Sequence, residues 1–289
     1  MAIFLALFSA LAYGLSDFVG GLVSRRTSAW PVAVVGQLSA AACTTVIAAL
    51  VPGSPTSSDF AWALLAGLAS GVGTGFLYRG FASGRMSVVA PISAVGAAVI
   101  PVVAGAVGGE RMSLVVWTGI AFALPGIWLV SSTAEELPDD EEGTGTASKG
   151  RATFAEGVLD GVLAGLGFGV LFAALGQVPE EAGLWPLATA QAVSIPSVVL
   201  LAVTLSARWL PRGRTVWWAL LAGPLGAAAT GAFLLATQSG FLTIAGVLAS
   251  LYPASTVLLA ALILHEHIHR AQGVGLGLCA LAIGLVAGG

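Results

Sequence analysis

Two constellations in this 289-residue chain could do chemistry. His265-Glu266-His267-Ile268-His269 fits the His-Glu-x-x-His pattern: on a helix the outer histidines, four apart, share a face and could ligate zinc while Glu266 acts as general base. The other is Asp17, an acid well inside an apolar stretch, where burial costs an ionisable group several kcal/mol. Its expected place is beside a cavity or a partner, as a proton-coupling or cation-binding carboxylate. Tyr13, Gln37, Tyr78, Arg79, Gln191 and Tyr252 lie in or at the ends of other apolar stretches and could line a path through them. So could Pro91 and Pro253, because a proline frees a carbonyl one turn earlier. Each also has a plainer reading. The glutamines suit interhelical hydrogen bonds, Arg79 could snorkel to headgroups, and Tyr13 could pack at an interface.

The elements that must position these residues follow from composition. Hydrophobic residues make up 57% of the chain and charged residues 9%, with mean hydropathy +0.96. A water-soluble surface needs far more charge. A membrane-spanning helix needs about 20 mostly apolar residues to cross a core of about 30 Å. Segments of that kind lie near 3–22, 31–51, 60–78, 87–107, 114–131, 157–176, 185–206, 216–237, 243–264 and 271–288. Runs of this length without polar alternation are helices, since lipid leaves the backbone to satisfy itself. The fold class is therefore all-α integral membrane, with ten transmembrane helices in contact with the lipid bilayer. Half of the fourteen acids fall between Glu135 and Glu156 and no basic patch exists, which excludes a nucleic-acid partner. Cys43 and Cys279 sit inside apolar runs as small hydrophobes, so neither a disulfide nor a metal or other cofactor is expected there. The apolar N-terminus lacks the basic flank of a signal peptide and reads as a retained first helix.

The strongest internal signal is a repeat. At an offset of 156 residues, Trp62-Ala63-Leu64-Leu65-Ala66-Gly67 matches Trp218-Ala219-Leu220-Leu221-Ala222-Gly223, Thr74-Gly75 matches Thr230-Gly231, and Glu110 matches Glu266. At 155, Trp30-Pro31 matches Trp185-Pro186 and Gly14 matches Gly169. The chain thus divides into a first five-helix unit (1–132), an acidic linker (133–156) expected to be flexible, and a second five-helix unit (157–289). Five spans per unit is odd, so the repeats are inverted, a plan that recurs in transporters whose site lies between the halves. Gly67, Gly71 and Gly75, and likewise Gly161, Gly165 and Gly169, carry the spacing of close helix packing.

On these residues the chain resembles the EamA family of the drug/metabolite transporter superfamily. In the first half the resemblance rests on Tyr13-Gly14-Leu15-Ser16-Asp17-Phe18, on Tyr78-Arg79-Gly80-Phe81-Ala82 through Val89-Ala90-Pro91-Ile92, and on Gly109-Glu110-Arg111. In the second it rests on Ser250-Leu251-Tyr252-Pro253, on Glu266, and on Gly275 through Gly284; His265 stands where the family usually has glycine. The resemblance implies carrier-type transport of small metabolites or drugs, often outward, without ATP hydrolysis and without enzymatic activity. It names no substrate, and the choice between monomer and homodimer stays open. Few fixed charges among tyrosines and glutamines suggest neutral or zwitterionic solutes.

The zinc pattern supports a rival, an intramembrane metalloprotease, for which Leu159-Asp160-Gly161 resembles the third-ligand motif of site-2 proteases. Against it, the histidines fall in a short connection and the aspartate precedes them. The matching stretch Glu110-Arg111-Met112-Ser113 keeps only the glutamate, which suits capping of the helix it opens. A non-transporting receptor or structural membrane protein is the other alternative. Assigning loops alternately to two sides puts Arg111 on one and the other ten of eleven basic residues on the opposite one. The enrichment of cytoplasmic loops in Lys and Arg then predicts a cell-membrane protein with linker 133–156 inside and both termini outside.

Overall fold

The computed structural model describes the backbone of residues 1–83, 86–131, 146–263 and 269–289. Every regular element among them is helical. The first unit contains α1 (Ala2–Ser24), α2 (Ala29–Leu50), α3 (Ser57–Ala82), α4 (Met86–Val107) and α5 (Leu114–Ser131). The second contains α6 (Thr146–Leu175), α7 (Trp185–Thr204), a 3₁₀ turn (Thr215–Leu221) running into α8 (Ala222–Gln238), α9 (Leu242–Ala249), α10 (Tyr252–Ile263) and α11 (Arg270–Gly288). Among the described residues ten spans are long and apolar enough to cross a bilayer. Local signals set several starts: Thr56 and Asp59 form a reciprocal capping box on α3, and Pro186 sits in the first turn of α7.

Two boundaries differ from expectation. Helix α6 begins at Thr146, inside the stretch read as linker, although its membrane-length part is Glu156–Leu175. The ninth span is broken: α9 ends at Ala249, and α10 starts at Tyr252 after a turn in which Leu251 N donates to Leu248 O at 3.2 Å. Pro253 has no N–H to continue the ladder back to Ala249, which accounts for a break just before it. Hydropathy is blind to this interruption because the residues on both sides are apolar.

Packing follows a pseudo-two-fold pattern. Helix α1 packs on α8 as α6 packs on α3, and α4 packs on α6 as α9 and α10 pack on α1. Helices α2 and α7 meet each other across the axis, as do α5 and α11. The glycine series behave as packing surfaces. Gly67 and Gly71 face Ala190, Val193 and Ser197 of α7, and Gly161, Gly165 and Gly169 face Ile92, Ser93, Gly96 and Ile100 of α4. Glycine is required where Gly167 meets the backbone of Gly73, because a Cβ there would collide with main chain rather than with a yielding side chain. Large apolar side chains such as Phe4, Val46, Leu50, Leu262 and Val274 point outward, as lipid allows. Trp62, Trp117, Trp128, Trp185, Trp217 and Trp218 are exposed near helix ends, the depth of an interfacial aromatic belt.

Candidate functional site between the repeats

A cavity with about 660 Å³ of empty space, its mouth included, lies between the two units. Six of the nine residues selected from sequence line it: Tyr13, Asp17, Gln37, Tyr78, Gln191 and Tyr252. The chain has three tyrosines, and all three are in this lining. Asp17 is the charged group among the described lining residues, and no lysine or arginine faces it from the wall.

The repeat is visible in the cavity's hydrogen bonds. Gln37 donates through Nε2 to Thr74 Oγ1 at 3.0 Å and to Ser70 Oγ at 3.3 Å. In the second unit Gln191 donates to Thr230 Oγ1 at 3.4 Å, and Thr230 is the residue 156 positions after Thr74. Each half thus presents a glutamine and a threonine to the same space, from α2 and α3 on one side and α7 and α8 on the other. Tyr13 joins the second pair, its hydroxyl 3.0 Å from Thr230 Oγ1. Tyr252, the first residue after the break in the ninth span, places its hydroxyl 3.2 Å from Ser93 Oγ on α4. Ser16 donates to the carbonyl of Ala222 at 3.0 Å, which ties α1 to α8 beside Asp17. Gly20, one turn after Ser16, leaves the space that the Tyr78 hydroxyl fills; any Cβ there would overlap it. Asp17 and all three tyrosines line this one cavity.

Three residues selected from sequence do not reach the lining. Arg79 forms an ion pair with Asp160 at the start of the sixth span, with its Nε 2.9 Å from Asp160 Oδ1, and stacks on Phe76 at 4.7 Å. Pro91 and Pro253 are buried in helix packing instead, the latter beside the break. Asp160 was undervalued: it too is an acid within a span and is fully buried, but its place near the span's end hid it. Glu110 also differs from expectation. It caps not α5, which follows it, but α9 of the other unit, accepting from Leu242 N at 2.6 Å and Thr243 N at 3.0 Å. The carboxylate meets the positive end of that helix dipole, a contact between chain positions 132 and 133 residues apart that no local motif announces. Of the zinc pattern, His265 and Glu266 lie outside the described residues. His269 precedes α11 and is exposed, and Asp160, the aspartate of the protease reading, is engaged by Arg79.

The model of the EamA-like transporter family matches residues 1–132 and 155–288. The chain belongs to this family. One solved structure, described only as the crystal structure of a protein, superimposes with a TM-score of 0.69 at 16% identity, covering 99% of this chain and 96% of its own; it shows the fold alone. Among curated proteins there is no match. Membership of the EamA-like family makes the chain a membrane transporter of the drug/metabolite type.

Proposed function

We propose that the chain is a secondary, carrier-type exporter of small metabolites or drugs that works by alternating access and is coupled to protons through Asp17. The observation that carries this reading is a cavity at the interface of two repeats, with matched Gln–Thr pairs on both sides and Asp17 as the acid among its described lining residues. A site on the pseudo-two-fold axis is the arrangement that rocking of one unit against the other exposes to each side in turn. Alternating access also needs elements that can bend, and the broken ninth span beside Tyr252 is one. The test is reconstitution: proteoliposomes containing the purified chain should move a solute from a metabolite panel faster than protein-free vesicles when a pH gradient is imposed. No movement of any solute would favour the receptor or structural alternative.

Orientation is the second part of the proposal. With ten spans, the loops bearing ten of the eleven basic residues share one side, so that side is cytoplasmic and both termini face outward. An export-dependent phosphatase fused after Gly289 should be active, and a fluorescent protein that matures only in the cytoplasm should stay dark. The reverse pair of results overturns the assignment.

A further inference from the structure

We infer that the cavity selects an organic monocation, an amine or quaternary ammonium carried on a flat apolar body; this rests on the transport reading above. The argument begins where the two halves stop matching. The α2/α3 and α7/α8 walls repeat their Gln and Thr residues, but the α1 and α6 walls do not repeat theirs. Residues Tyr13, Ser16 and Asp17 of α1 correspond, 155 positions on, to Phe168, Leu171 and Phe172 of α6, and all six line the cavity. One wall is therefore acidic and hydroxylated, while its symmetry mate is aromatic and apolar. Phe172 is held in place by stacking on Phe233 at 4.4 Å and by an edge contact with Tyr13 at 5.7 Å, so the apolar wall is built rather than incidental.

A ligand filling that space meets one carboxylate and five aromatic rings, those of Tyr13, Tyr78, Tyr252, Phe168 and Phe172. Ring faces attract cations, and aromatic boxes are a recurrent solution for quaternary ammonium groups, which cannot donate hydrogen bonds. The acid adds charge attraction that a partly desolvated cavity screens less than water does. The same features reject anions. No basic side chain is present in the described lining; Gln37 gives its amide donors to Ser70 and Thr74, and Gln191 gives one of its two to Thr230. This replaces the expectation of neutral or zwitterionic solutes, which rested on residue types without their arrangement.

The test uses three probes of similar size on the full chain purified in detergent: benzyltrimethylammonium, neutral 3-phenylpropionamide and anionic 3-phenylpropionate. Calorimetric titration at neutral pH should rank the cation about tenfold tighter than the amide, with the anion weakest. Asp17→Asn should bring cation and amide to within about twofold of each other. Equal binding of all three probes, a preference for the anion, or an unchanged cation preference in Asp17→Asn overturns the inference. If Asp17→Asn does not survive purification, the wild-type ranking decides alone. Proteoliposomes that move the amide or the anion but exclude the cation would sink this inference and leave the transport reading intact. Vesicles inert to every solute would sink the transport reading, whereas cation binding is measured separately.

Discussion

Asp17→Asn should abolish flux driven by a pH gradient while leaving the protein folded. Asparagine keeps the size and polarity of the carboxyl group but cannot exchange a proton, so it separates coupling from architecture. The fold does not depend on this charge. Its neighbour Ser16 makes the structural hydrogen bond to Ala222, and no lysine or arginine in the described lining pairs with Asp17. Burying an ionisable group in a bilayer is costly, and here the acid opens onto a cavity that both units line. In proteoliposomes the variant should therefore show downhill flux at saturating solute but no acceleration when a pH gradient is imposed. Asp17→Glu, which restores the acid on a longer stem, should recover part of it. Wild-type acceleration in the asparagine variant would remove Asp17 from the coupling mechanism.

How much of this was legible beforehand depends on what kind of information each feature carries. The ten spans were readable because bilayer thickness imposes a length on every one of them. The repeat was readable because Trp62 to Gly67 recurs at Trp218 to Gly223. An intramembrane polar group has few uses besides lining a cavity or pairing with a neighbour, and Tyr13, Asp17, Gln37 and Gln191 share one cavity. What stayed hidden were partners. Nothing local to Gly109-Glu110-Arg111 says that the carboxylate caps α9 rather than α5, because the cap is formed across the fold. Arg79 read as a path-lining residue, with a headgroup contact as the plainer alternative; only the placement of α6 against α3 brings Asp160 to it. The asymmetry of the cavity was present in the sequence as Tyr13 against Phe168 and Asp17 against Phe172. It carried no meaning until both were seen in the same wall.

The ion pair offers an internal control for its own energetics. Asp160 is fully buried and the Arg79 side chain is 29% exposed, so the two partners are unequal. Arg79→Leu takes the guanidinium away from a buried carboxylate, a change that costs about 3–5 kcal/mol in comparable buried pairs. Asp160→Leu should cost less, because the partly exposed Arg79 can swing its long side chain toward the headgroups. The double variant Arg79→Leu/Asp160→Leu should regain most of the loss, since replacing a buried ion pair by well-packed apolar side chains is often neutral or stabilising. The positions matched to Arg79 and Asp160 in the other pair of helices, α8 and α1, are Leu235 and Leu5, and both sit in a second, mostly apolar cavity between these helices. The pseudo-two-fold axis thus relates an ion pair on one side to two leucines on the other. Thermal unfolding in detergent should rank wild type and the double variant highest, Asp160→Leu next and Arg79→Leu lowest. Strictly additive losses in the double variant would mean that the two side chains act on stability independently, and that the contact between them contributes nothing.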